Sequence, residues 1–119
     1  MKTTEIATRL VALCREAKWE AAQKELFAED ATSIEPQASE GFSKETKGLG
    51  AIIEKGNKFG AMIEQLHSLT VSEPLVVNNA IACTMNLDVT MRGKGRMQMS
   101  EICLYHVKDG KIFSEQFFV

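Results

Sequence analysis

From Met62 onward the apolar residues of this chain change period, from helical spacing to strand alternation, and the switch separates a helical half from a sheet half. The run Ile63-Glu64-Gln65-Leu66-His67-Ser68-Leu69-Thr70-Val71 opens the second half, and its odd positions group His67 with Ile63, Leu69 and Val71. Further extended runs cover Leu75 to Val77, Ala80 to Met91, Met97 to Val107 and Lys111 to Phe118. They are separated by Asn78-Asn79, Arg92-Gly93-Lys94-Gly95 and Asp109-Gly110, each with hairpin-turn chemistry. Such short links make consecutive strands antiparallel neighbours, so a meander of about four strands is predicted.

The alternation also assigns faces. Cys83, Met85, Leu87, Val89 and Met91 are uniformly apolar, with Thr84, Asn86, Asp88 and Thr90 between them, so that strand has one dry side. The next strand sets Met97, Met99, Glu101, Cys103 and Tyr105 against Gln98, Ser100, Ile102, Leu104 and His106. This less clean phase predicts a β-bulge near Ser100.

In the first half, Ile6, Leu10, Leu13, Cys14 and Ala17 predict a helix over 4–17, capped by Thr3 or Thr4. Trp19, Ala22, Leu26 and Phe27 form the stripe of a second helix. Leu49, Ile52, Ile53, Gly56 and Phe59 form that of a third, with Gly56 placed for close packing on the sheet. Residues 37–47 have no period and read as an exposed loop whose one large apolar residue is Phe42. Three helices ahead of a curved, mainly antiparallel sheet must bury their stripes against one sheet face, which is an α+β architecture.

A length of 119 residues fits one domain over 1–119. A net charge of -2 gives no basic surface for nucleic acid, and Arg92, Lys94 and Arg96 flank glycines as at a hairpin tip. No stretch reaches the roughly 20 apolar residues of a membrane span. Cys14, Cys83 and Cys103 are odd in number and widely spaced, without a CxxC motif or a disulfide framework. Reduced thiols and an N-terminus without a signal core point to a cytoplasmic protein.

Between the halves, Phe27-Ala28-Glu29-Asp30-Ala31-Thr32-Ser33-Ile34-Glu35-Pro36 runs into a short extended segment. Pro36 keeps Glu35 out of helical geometry, so the acid stands at a fixed strand end, with Ala31 and Ser33 on the same side. The phrase Leu26 to Pro36, the element order and the closing Tyr105 to Ile112 resemble the SnoaL-like domain of the nuclear transport factor two-like superfamily, which includes ketosteroid isomerase. The resemblance spans nearly the whole chain and implies a cone-shaped α+β barrel with a ligand cavity. It puts Glu35 where the isomerases hold their general base. It puts Val11 and Ile102 where they hold oxyanion donors, and neither side chain donates, so steroid isomerisation of that type is not expected. It turns Glu115, Phe117 and Val119, and also Gln65 and His67, toward the cavity. It further implies a homodimer through the sheet, with Ile102, Leu104 and Phe118 as contacts.

Glu35 with His67 is therefore the expected base and proton partner, acting on a C–H beside a carbonyl or on a water. The plainer alternatives are a solvated strand-end acid and a core histidine satisfied by its neighbours. Trp19, Phe27, Phe42, Phe59, Met85, Leu87 and Phe117 are candidate cavity linings; aromatics and methionines at these spacings also serve as ordinary core. Glu101 and Glu115 interrupt apolar alternations, which suits a cavity acid, a partner contact or a solvent-facing acid. The His and Glu candidates lie on separate elements without an HExxH-type motif, so no metal and no cofactor are expected. The resulting expectation is a binder of a small apolar or amphipathic organic ligand, with isomerase, cyclase, dehydratase or hydrolase chemistry. The alternative is a non-catalytic ligand-binding or dimerisation module.

Overall fold

Helix α1 (Thr3–Arg15) buries Ile6, Ala7, Leu10, Val11, Leu13 and Cys14 along one stripe in the computed structural model, which describes residues 1–119. Its start differs from expectation: instead of a threonine cap, Glu5 reaches back and accepts the Lys2 N–H at 2.8 Å. Helix α2 (Trp19–Leu26) buries Ala22 and Leu26 and stops where Phe27 turns extended. Strand β1 (Phe27–Ile34) therefore begins four residues ahead of the alternation that starts at Ala31. The exposed Glu29 and Asp30 lie where its pairing slips between Phe27 and Thr32.

The loop expected over 37–47 contains a strand, β2 (Glu45–Lys47), paired antiparallel to the end of β1. Three residues are too few to show a period. Helix α3 (Leu49–Ala61) follows Gly48, whose φ of 94° suits glycine and whose N–H donates to the Ala31 carbonyl at 2.8 Å. That bond sets α3 against β1. Gly56 faces Gln23 of α2 rather than the sheet.

The remaining strands are β3 (Ile63–Val71), β4 (Leu75–Val77), β5 (Ala80–Met91), β6 (Gly95–Lys108) and β7 (Lys111–Phe118). They form one curved sheet in the order β2-β1-β7-β6-β5-β3, with β4 also on β5. Only the β1–β7 pairing is parallel. It brings the last strand beside the first and sets Ser33 opposite Glu115.

The expected bulge at Ser100 is absent, because the β5–β6 register runs unbroken from Ala80↔His106 to Met91↔Gly95. Odd residues of both strands face the helices. Ile102 instead joins Leu75, Val77, Phe113 and Phe118 among the large apolar side chains left exposed. On the covered side Phe27, Met85, Leu87, Cys103 and Tyr105 belong to one continuous core with the helix stripes. No helix is long and apolar enough to cross a membrane.

Candidate functional site

The strand end that carries Glu35 is held by its own backbone: the Glu35 N–H donates to the Lys44 carbonyl at 2.7 Å, and Pro36 follows. Glu35 Oε2 lies 3.1 Å from Lys55 Nζ, and the same ammonium donates to the Ser33 hydroxyl at 2.6 Å. The two ionic side chains are largely covered, with 16% exposure for Lys55 and 30% for Glu35. Lys55 comes from α3, three residues after the buried Ile52 and four before Phe59, so it shares their stripe. The Phe117 ring on β7 lies 5.8 Å from its nitrogen.

Glu115 stands across from Ser33 and is only 5% exposed. Burial pushes its carboxyl up to about 7, against the pull of the Ser33 hydrogen bond and the Lys55 charge; Glu35 and Glu101 push it further up. Glu101 on β6 faces the same interior. Burial raises its carboxyl too, opposed by the Cys103 thiol, which donates at 3.3 Å; the Glu35 charge raises it and the Lys55 charge lowers it. Three acids, at the end of β1 and on β6 and β7, thus lie within the field of one helix-borne ammonium, which pairs directly with Glu35. Ser33 takes a hydrogen bond from Lys55 and stands opposite Glu115 in the β1–β7 register, between the acids at either end.

This arrangement has a thermodynamic signature. The unfolded chain releases the Glu115 proton near 4.5 and the folded chain near 7, so between these values the folded state holds more protons. Stability is therefore full below the lower value and falls as pH rises toward the upper one. The loss expected from this group is about 3 kcal/mol. Urea unfolding across that window measures it, and Glu115→Gln is expected to flatten the slope; a slope unchanged in the variant counts against the assignment.

His67 is not brought to Glu35. The pairing of β3 with β5 slips between Ile63 and Gln65 and again between Leu66 and Ser68, so the alternation inverts between the two bulges. His67 Nε2 instead meets Thr90 Oγ1 at 2.7 Å, on the same face of β5 as Asp88, which is gripped by Arg96 at 2.8 and 3.0 Å. Thr90 and Asp88 lie on the face of β5 opposite the buried Val89 and Met91. The histidine thus belongs to the open side of the sheet.

The other expected residues divide in the same way. Phe27, Met85 and Leu87 are buried in the core, Phe27 edge-on to Tyr105 at 6.5 Å, while Trp19 and Phe59 are partly buried against it. Phe42 lies under Lys58 of α3, 4.8 Å from its nitrogen. Glu101, Glu115 and Phe117 face the cluster. Ile102 is outside and Val11 is packed in the core, so the late-strand carboxyl that faces inward is Glu101. No group of His, Cys, Asp and Glu has an arrangement that could hold a metal ion. Two surface hollows lie elsewhere: one of about 510 Å³ along the exposed side of α1, and one of about 130 Å³ on the open sheet face around Ser68, Asn86 and Ser100. Neither is lined by a member of the cluster.

Sequence reasoning missed Lys55 and the role of Ser33. Lys55 was detectable as a cation at i+3 from Ile52 and i-4 from Phe59.

A sheet closed by a parallel first and last strand, with three acids around a helix-borne lysine, defines an α+β domain with an internal acid–base cluster. The SnoaL-like domain family matches residues 1–119, and the chain belongs to that family. A Mesorhizobium loti structure, described as a candidate SnoaL-like polyketide cyclase with carbohydrate phosphatase added, is 31% identical over 100% of both chains, with a TM-score of 0.88. A candidate isomerase from Bacillus subtilis is 25% identical, covering 98% of this chain and 88% of its own, with a TM-score of 0.74. A Catenulispora acidiphila protein of ketosteroid isomerase-like fold, in complex with trimethylamine, has the same fold at 20% identity, covering 97% and 85%, with a TM-score of 0.73. No curated protein matches this chain.

Proposed function

We propose that this domain binds a small apolar or amphipathic organic molecule beside Glu35 and moves a proton on it. The observation that carries the reading is the shared ammonium: Lys55 joins Glu35 to Ser33, and Ser33 stands opposite Glu115, an acid whose burial lifts its proton exchange to about pH 7. Glu35 takes a proton from a C–H beside a carbonyl or from a water. An ammonium has three donors, and Lys55 has one beyond those given to Ser33 and Glu35, so it can hold the oxygen where charge develops. Glu115 returns the proton, its raised affinity setting it apart from a carboxylate paired with a cation. Isomerisation, cyclisation, dehydration and hydrolysis all use this pairing of base and acid.

The cyclase and isomerase descriptions of the similar structures, and the trimethylamine held by one of them, support a small-molecule ligand. One observation favours a second reading, binding without conversion: the base is already tied to Lys55 and must be freed before it reacts. Screening small carbonyl compounds for binding and turnover separates the two. The catalytic reading expects a rate profile with an inflection near pH 7 that disappears in Glu115→Gln; binding with no turnover of any bound compound favours the second.

The exposed Ile102 and Phe118, with Leu104 beside them and Leu75 and Val77 on β4, support a homodimer through the open sheet face. Sedimentation is expected to give two chains per particle, and Ile102→Glu one. A single chain in the unmodified protein sinks this reading. Three free cysteines, all buried, support a cytoplasmic setting.

A further inference from the structure

Cys83 of β5 and Cys103 of β6 are direct partners across the sheet, both on the helix-covered side, with 5% and 0% exposure. The Val107 N–H donates to the Asn79 carbonyl, and the cysteines lie four residues further along each strand in an unbroken register. They therefore fall on the hydrogen-bonded phase of the ladder, where Cα atoms are about 5.5 Å apart, inside the roughly 4.4–6.8 Å a disulfide spans. The thiol of Cys83 is held below its ordinary value by its neighbour Cys103, against the effect of burial, while Cys103 is pushed up. Cys103 Sγ also lies 3.3 Å from Glu101 Oε2, and Glu101 is partly exposed, so the pair sits one side chain from solvent.

We propose that Cys83 and Cys103 are an oxidative modification site, converted by a peroxide into an intramolecular disulfide that deprives Glu101 of its thiol hydrogen bond. The Cys83 sulfur attacks one peroxide oxygen as the thiolate. The O–O bond breaks, leaving a sulfenic acid on Cys83 and a hydroxide that takes up the thiol proton as water. The Cys103 sulfur then displaces the sulfenic hydroxyl, forming the S–S bond, and its own proton leaves with that hydroxyl as a second water. Two thiols lose two electrons, and the peroxide is reduced to two waters.

A disulfide sulfur has no proton to donate. Glu101 would lose an interaction that holds its carboxyl down, while burial and the Glu35 carboxylate still act to raise it and the Lys55 charge opposes them. The redox state of the pair thereby sets the protonation of an acid in the cluster. Cys14, pushed up to about 12 by burial on α1, is the inert third thiol. The inference rests on sheet register and holds for either reading of the function.

The test treats the whole chain with hydrogen peroxide, then unfolds it in the presence of iodoacetamide for intact mass and peptide mapping. A single-chain product lighter by two hydrogens is expected, with one alkylated thiol at Cys14 and reversal by dithiothreitol. Cys14→Ala keeps the reaction, and the unmodified chain alone suffices should Cys83→Ser or Cys103→Ser fail to fold. Three alkylated thiols, a linkage through Cys14 or a bond between two chains overturns the proposal. Carboxyl carbon NMR reads the coupling: the Glu101 midpoint rises on oxidation, and an unmoved midpoint overturns that part.

Discussion

Replacing Glu35 with Gln is expected to lower turnover of any substrate this domain converts by about 10²- to 10⁴-fold, the usual contribution of a positioned base. The amide keeps the size of the side chain, and its oxygen still accepts from Lys55, so α3 stays anchored and binding changes little. What disappears is the charge that receives the proton. Steady-state kinetics separates these effects, with kcat falling and KM holding. Full activity in Glu35→Gln would remove the base from the mechanism; a loss confined to KM would make Glu35 a binding group. Glu35→Asp draws the carboxylate back by one methylene from both Lys55 and the ligand, and an intermediate rate is expected.

The largest loss of stability is expected from Ile52→Ala. Ile52 is fully buried in the first turn of α3, a helix packed against β1 and α2, and removing its branched chain leaves a cavity there. Such truncations cost about 2–5 kcal/mol, a large share of the roughly 5–15 kcal/mol that holds a domain together. A lower urea midpoint at unchanged slope checks this. A loss below about 1 kcal/mol would mean that the helix is not packed as described. The substitution also links fold to site, since Lys55 stands one turn further along the same stripe.

The reasons some of this was legible in the sequence and some was not are physical. Glu35 was readable because Pro36 fixes the backbone and the alternation before it is clean. Glu115 was visible as an acid inside an apolar strand, although its facing residue, Ser33, depends on a parallel pairing that no short turn announces. Lys55 was passed over despite its spacing because a lysine on an amphipathic helix ordinarily belongs to the solvated face, and here its long stem carries the charge inward beside Phe117.

His67 was misplaced because strand phase was carried through two bulges. A bulge inserts a residue without marking the composition, so Ile63, Leu69 and Val71 gave the right side for themselves and the wrong one for the residue between them. The apolar Ile102 and Leu104 produced the opposite error. They suggested a bulge at Ser100, whereas the strand is regular and the two side chains belong to an apolar open face. That correction also puts Glu101, rather than Ile102, toward the cluster, so the late strand does present a carboxyl there.

Lys55 and Ser33 stand between Glu35 and a Glu115 that exchanges its proton near neutral pH. Titrating Glu115 by carboxyl carbon NMR, in the unmodified chain and in Lys55→Met, tests this most directly. A midpoint of about 7 is expected in the unmodified chain. A higher midpoint is expected in Lys55→Met, because the charge that favours the carboxylate is gone. A Glu115 that titrates at the roughly 4.3 of an ordinary glutamate, or does not respond to the loss of Lys55, would contradict it.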